Sequence, residues 1–393
     1  MVNFNLSTTV LLPALIAVGA TTTMVFSANN GMFDAITDIV EDPTITIMPG
    51  TADVPLTREW TGIAALDRQF TVLLIFFWQL LDGRHPAGSL HAIHFFGQVG
   101  AYWTLMQLEA KREGNKRRVI AYTTLIGLLY QNISVAITIP LWSLLHLLTL
   151  PKRTNSAALT ASLTLPVSEA RMLPWAMALG YIVPSLAMSL PSPAVTTPLV
   201  QQWLASAWQV FPLWIYLAQT VILRPFFTSR TPTPPSPAAA ATSSYHAASS
   251  THLFALLFAA IPHATTLTLS LSTLAFPSLF SPATAAALHP AAVFLPKLSP
   301  AGTTGVSLAE GTTRLMQWDE LVSSVASVVW AGTLYLRDTR TKGGRRFGVV
   351  GVVVRAVGWS VVGGPAAAAV GLVWARDEGV LGWEGTGAGG KNL

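Results

Sequence analysis

The stretch Arg314–Leu336, "RLMQWDELVSSVASVVWAGTLYL", sets two adjacent carboxylates, Asp319 and Glu320, ahead of a run that carries no further charge before Arg337. About 20 apolar residues at 1.5 Å per residue cross the roughly 30 Å hydrocarbon core of a bilayer, so Trp318–Leu336 reads as a membrane-spanning helix. Carboxylates in a helix's first turn gain about 0.3–1 kcal/mol from the helix dipole. Glu320 is read in that way, as a helix-start residue near the headgroups. Asp319 differs, because Asp319, Ser323 and Trp330 are spaced i, i+4, i+11 and share one face at 100° per residue.

The rest of the chain supports a membrane reading. Of 393 residues, 51% are hydrophobic and only 10% charged, where soluble domains carry roughly a quarter charged. The expected fold class is all-α, a polytopic integral membrane bundle of about seven to nine transmembrane helices. The net charge of +5 sits in short clusters beside the apolar segments and reads as topology information, which excludes nucleic acid as a partner. There is no cysteine, hence no disulfide, thiolate metal site or cysteine nucleophile.

N-terminal helices are expected over residues 1–223. Leu6–Ala28 reads as a retained helix, since no Lys or Arg precedes it and the run exceeds a usual signal-peptide core. Residues 29–60 are acidic and broken by Pro43, Pro49 and Pro55, and read as an extramembrane loop. Apolar segments follow at Thr61–Leu81, Ala87–Leu108, Val119–Leu150, Met172–Leu190 and Leu199–Leu223. The Val119–Leu150 segment is too long for one crossing, and Pro140 suggests a kink or short return. "EAKREGNKRR", with Lys111, Arg112, Lys116, Arg117 and Arg118, gives the strongest positive-inside signal. Residues 224–250, "RPFFTSRTPTPPSPAAAATSSYHAASS", read as a disordered cytosolic linker. C-terminal helices are expected over 251–375 (His252–Phe280, Trp318–Leu336, Phe347–Ala375), and a flexible Gly-rich tail over 376–393. If both basic loops and the linker are cytosolic, an even number of crossings separates Arg118 from Arg224. Three apolar segments lie there, so one is split, re-entrant or not spanning.

Ionisable groups cost about 2.5–3.5 kcal/mol at the centre of a membrane helix and usually face the bundle interior. Asp67, Thr71 and Trp78 repeat the acid–hydroxyl–indole column of Asp319, Ser323 and Trp330. His91, His94, Gln98, Tyr102 and Glu109 form one stripe. Gln131, Thr138, Trp142 and His146 form another, with Tyr130 and Asn132 beside it, and His263, Thr266 and Ser270 add a third. Together they predict a polar, aromatic-lined cavity. Each has a plainer reading too. Asp67 can pair with its neighbour Arg68, the amides can be interhelical glue, and Trp and Tyr can be interfacial anchors. His91 and His94 alone are a weak metal signal, and no metal or cofactor is expected. DDxxD, NDxxD, DxDD, P-loop, GxSxG and HExxH motifs are all missing, which disfavours metal-dependent ionisation of a prenyl diphosphate.

Four stretches, "ALDRQFTVLLIFFWQLLDG", "LHAIHFFGQVGAYWTLMQLEAKREGNKRR", "GLLYQNISVAITIPLWSLLHLLT" and "QWDELVSSVASVVWAGTLYL", carry a further signal in their order and spacing. In them the chain resembles fungal membrane-bound terpene cyclases of meroterpenoid pathways, of the ascofuranone and macrophorin type. The resemblance covers 61–150 and 317–336, and does not reach the Pro/Ala-rich linker or the Gly-rich C-terminus. It implies chemistry like that of class II cyclases, in which a general acid protonates an alkene or epoxide of a prenyl chain. A buried carboxyl suits this, because low dielectric favours its neutral form, and aromatic faces stabilise the travelling cation by about 1–2 kcal/mol each when desolvated. The expected acid is Asp319, with Asp67 second. The expected substrate-binding residues are His94, Gln98, Tyr102, Tyr130, Gln131, Asn132, Trp330, Trp78 and His263. On the topology above, Asp319 lies toward the lumenal side and Asp67 toward the cytosolic. The expected partners are a lipophilic farnesyl-type substrate and the bilayer, with the endoplasmic reticulum as location. A proton-coupled transporter and a non-catalytic membrane scaffold are the rival readings.

Overall fold

The computed structural model describes residues 2–151, 155–228, 234–297, 306–342 and 347–382. Among these there are helices and a single isolated bridge between Ile47 and Pro55, with no strand. Apart from a short helix at Arg224–Thr228 in the expected linker and three 3-10 turns, the helices are α1 (2–29), α2 (Met32–Glu41), α3 (Ala64–Leu81), α4 (Pro86–Ala110), α5 (Thr123–Ile133), α6 (Val135–Leu148), α7 (Ser156–Leu163) and α8 (167–188). They continue with α9 (Pro198–Trp208), α10 (Phe211–Ile222), α11 (Pro237–Ala275), α12 (Pro282–Leu288), α13 (Pro290–Phe294), α14 (Leu308–Lys342) and α15 (Val349–Leu381). Four are long and apolar enough to cross a membrane: Phe4–Asn29 within α1, α3, α11 and α15. By length and composition these are the four candidate spans among the described residues, and the expected count of seven to nine is not confirmed.

Helix α14 is the pillar of the bundle. It packs along α15 and α6 and also touches α4, α3 and α1. A second layer joins α11 to α4, α15 and α8. The long helices α11 and α15 bare aliphatic side chains outward, with Val350, Val354 and Val361 each between 65 and 77% exposed. Polar side chains such as Gln98, Thr104 and Gln107 of α4 are buried. This inverts the usual soluble arrangement of apolar inside and polar outside.

Several boundaries differ from expectation. Residues 32–41 form a helix within the stretch read as a loop, because Met32 and Ile36 fall one turn apart and bury against the bundle. The 119–150 segment breaks at Ser134, whose φ is +113°, and not at Pro140, which lies inside α6. The 199–223 segment likewise divides at Gln209 and Val210 into α9 and α10. Within the expected linker, residues 237–250 are the first turns of α11. Ser236 accepts from Ala239 N–H as its cap, and the alanine face at Ala241, Ala247 and Ala248 packs inward. Alanine is the best helix former, so a composition that resembles a linker also suits a closely packed helix. Residues 376–381 of the expected tail complete α15, while 383–393 lie outside the described residues.

Helix α15 kinks at Gly364–Pro365. Gly364 has φ +82°, and a Cβ there would stand 2.5 Å from Gln98 Oε1. Pro365 has no N–H, so the ladder is interrupted. The Gln98 amide fills the gap: Nε2 donates to Ala259 O at 3.1 Å and Gly363 O at 3.4 Å, and Oε1 accepts from Ala366 N–H at 2.9 Å. One side chain thus ties α4, α11 and α15 together, so Gln98, expected to bind substrate, serves here as an interhelical tie. Gly364→Ala is expected to destabilise the chain by about 1–3 kcal/mol from the backbone alone, with the Gln98 clash added. A lower melting temperature in detergent checks this, and an unchanged one contradicts it.

Candidate active site

The break between α5 and α6 prepares the site. Ser134 leaves helical geometry and its hydroxyl caps α6, accepting from Ala136 N–H at 3.1 Å. A non-glycine residue at positive φ costs of order 1–3 kcal/mol, so such a bend usually persists where surrounding contacts enforce it. The contact here is Asp319. Its Oδ1 takes a short hydrogen bond from the Ser134 hydroxyl and a 3.0 Å bond from Ala136 N–H at the N-terminus of α6. Oδ2 makes no hydrogen bond, and no ion pair reaches Asp319, among the described residues. Asp319 sits about three turns into α14, is 5% exposed, and faces a cavity of about 300 Å³.

The cavity is aromatic. Phe76 and Phe77 of α3, Phe95 and Phe96 of α4, Tyr130 of α5, Tyr181 of α8 and Trp208 of α9 contribute to its wall. Phe77, Phe96 and Trp208 interlock at centroid distances of 5.1–6.2 Å. The polar tips of two rings are tied down elsewhere: Tyr181 donates to Phe96 O at 3.0 Å and Trp208 Nε1 to Ser185 Oγ at 2.8 Å. Two lining polar groups are buried without a hydrogen-bond partner, Tyr130 Oη and Gln131 Nε2. Asn132 also lines the cavity, its amide donating back to Leu128 O.

Of the residues expected from sequence, the cavity thus gathers Asp319, Tyr130, Gln131 and Asn132. The others lie elsewhere. Asp67 does not pair with Arg68, which bonds Glu41 at 2.9 Å. Its carboxylate accepts from Thr61 N–H at 2.7 Å, the Thr61 hydroxyl at 2.8 Å and Gly62 N–H at 3.1 Å, fastening the loop ahead of α3 beside a separate pocket. Trp78 and Tyr102 are core residues. Trp330 donates to His146 Nδ1 at 2.9 Å and packs on Trp142. His94 and His263 belong with Glu320 in another cavity. The paired columns exist as helix faces, yet their hydroxyls bond backbone, Thr71 to Asp67 O and Ser323 to Glu320 O, and not the acids. Glu320, read as a headgroup residue, is 7% exposed inside the bundle.

Sequence reasoning did not select Ser134, Phe76, Phe77, Phe96, Tyr181 or Trp208. Ser134 is a single small polar residue inside an apolar run, and the aromatics gather from four helices that share no sequence spacing. Ser134→Gly tests the Ser134 assignment. Glycine adopts the same φ without strain, so stability should change little. The hydroxyl donor to Asp319 is lost, and turnover is expected to fall about tenfold, as for one hydrogen bond to a charged group. Equal turnover in the two proteins would remove Ser134 from the site.

The candidate site is thus a buried carboxyl with one unbonded oxygen facing an aromatic-walled space. The chain belongs to the CtvD domain family, whose model matches residues 8–381, well beyond the stretches in which a resemblance is legible. Terpene cyclase ascI of Acremonium egyptiacum is 31% identical over 94% of this chain and 91% of its own length. Terpene cyclase ctvD of Aspergillus terreus is 28% identical over 90% and 94%, and terpene cyclase atmA of Aspergillus flavus 27% over 88% and 90%. No solved structure matches. Relatives that are fungal terpene cyclases along nearly their whole length support a cyclase role for this chain.

Proposed function

We propose that this protein is a membrane-embedded, metal-independent terpene cyclase that protonates an alkene or epoxide of a farnesyl-type prenylated substrate. The observation that carries the reading is Asp319, whose Oδ1 is held by Ser134 and Ala136 while Oδ2 is unbonded at the wall of the aromatic cavity. In the proposed step the Oδ2–H bond breaks as the substrate's π electrons form a C–H bond, or as the epoxide oxygen takes the proton and its C–O bond opens. The Ser134 hydroxyl and Ala136 N–H then stabilise the charge left on the carboxylate. The cation passes to neighbouring alkenes along the aromatic wall, where each desolvated face is worth about 1–2 kcal/mol. Loss of a proton from carbon or from a head-group hydroxyl ends the cascade, so atoms balance as an isomerisation. Tyr130 Oη and Gln131 Nε2 are the buried polar groups available to orient the head group.

The membrane part of the proposal rests on the four long apolar helices and on the aliphatic exterior of α11 and α15. A lipid-dissolved substrate then reaches the cavity without crossing water. We place the protein in the endoplasmic reticulum, in a meroterpenoid pathway, on the strength of the family resemblance. The test is expression in a heterologous fungus fed a farnesyl phenol and its terminal epoxide. A new cyclised product is expected from one of them; no product from either, or full activity in both Asp319→Ala and Asp67→Ala, sinks the proposal.

A further inference from the structure

Glu320 follows Asp319 in sequence but points about 100° away around α14, into a different space. That space is a cavity of about 730 Å³ between α11, α14 and α15. It shares no lining residue with the Asp319 cavity. Its wall is aliphatic, with Leu267, Val325, Val328, Val353 and Val357. Val353 and Val357 are 53 and 59% exposed, so the cavity opens sideways at the surface of the bundle.

One polar assembly interrupts this wall. Glu320 Oε1 lies 2.6 Å from His94 Nδ1, His94 Nε2 lies 2.9 Å from His263 Nδ1, and His263 Nε2 lies 3.2 Å from Val361 O. Two hydrogen bonds are formed here, His94 to His263 and His263 Nε2 to the Val361 carbonyl, and the two hydrogens of two neutral imidazoles supply them. His94 Nδ1 approaches Glu320 Oε1 closely but makes no hydrogen bond. Glu320 Oε2 makes no hydrogen bond, and His91 Nε2 lies 3.6 Å from it. Ser324 Oγ, also at the wall, is buried and unpartnered. A buried carboxyl oxygen without a partner is costly unless something occupies the space before it.

We propose that this cavity is a second ligand site, for an apolar molecule bearing a single hydroxyl that bonds Glu320 Oε2. The aliphatic wall takes the hydrocarbon body, the sideways opening admits it from a lipid phase, and the Glu320–His94–His263 assembly places the carboxyl that meets the hydroxyl. The site stands apart from the Asp319 reading, since neither its ligand nor its geometry requires turnover there.

The test uses the full chain carrying Asp319→Asn, purified in detergent, with tritiated farnesyl phenol and its methyl ether as probes. Two classes of phenol site per chain are expected. Adding Glu320→Gln weakens one class about tenfold or more, Val357→Trp removes that class by filling the cavity, and ether binding at this site is weak and insensitive to Glu320→Gln. Displacement by a sterol assigns the occupant to membrane lipid, and displacement by farnesyl phenol alone to a prenylated phenol. Phenol binding unchanged by both Glu320→Gln and Val357→Trp, or equal effects of Glu320→Gln on phenol and ether, overturns the proposal. Cyclisation surviving in Asp319→Asn would sink the acid assignment and leave this result standing, so the two failures are distinguishable.

Discussion

Asp319→Asn is expected to lower the rate of cyclised product formation by roughly 10² to 10⁴-fold, the contribution typical of a positioned general acid, while the protein stays folded. Asparagine has nearly the same shape. Its Oδ1 can still accept from Ser134 and Ala136, but the side chain has no acidic proton to deliver. Product analysis at matched amounts of monodisperse protein measures the effect. Asp67→Asn is the internal contrast. Its carboxylate serves three donors of the loop before α3, so the variant is expected to melt earlier and to keep its turnover per folded molecule. A reversed outcome, with Asp67 controlling turnover and Asp319 controlling stability, would move the acid to the other pocket.

The second large effect concerns folding. At one end of the bundle Arg112 and Arg376 alternate with Glu109 and Asp377, all at most 1% exposed. Arg112 bonds Glu109 at 2.7 Å and Asp377 at 2.5 Å; Arg376 bonds Glu109 at 2.5 Å and Asp377 at 2.8 Å; His252 bonds Asp377 at 3.0 Å. The cluster joins the C-terminal ends of α4 and α15 to α11. Removing one member of a buried pair leaves a charge without compensation and costs about 3–5 kcal/mol. Asp377→Ala strips a partner from both arginines, so the melting temperature should fall on the order of 5 °C or more, with a smaller fall for Asp377→Asn, which keeps hydrogen-bonding capacity. Wild-type melting in the alanine variant would show that the cluster contributes nothing net.

Helix class was readable wherever one signal dominated. Long apolar runs with few charges gave α1, α3, α4, α11 and α15, because hydrophobic length depends on composition alone. Composition misled at 237–250, where alanines and serines suit both a linker and a packed helix, and only the neighbouring surface of α15 decides between them. Arg112 was read with the exposed basic loop, and Arg376 and Asp377 with a tail. Their burial depends on pairing between residues separated by more than 250 positions, which periodicity cannot register. At the site, Asp319, Tyr130, Gln131 and Asn132 were legible as polar residues inside apolar runs. The aromatic wall was not, since Phe and Trp in such runs resemble ordinary core.

What the sequence by itself determined is the inventory: an all-helical chain with few charges, no cysteine, none of the diphosphate-binding motifs sought, and a carboxyl pair inside an otherwise apolar helix. These follow from residue type and local spacing, which act over one or two helical turns. The tertiary structure alone decided how the pair divides. Consecutive residues on a helix diverge by about 100°, so Asp319 met the Ser134 break and an aromatic cavity while Glu320 met two histidines and an aliphatic one. Their difference in partners comes from which helices pack on each side of α14, and that packing is settled by contacts far apart in the chain.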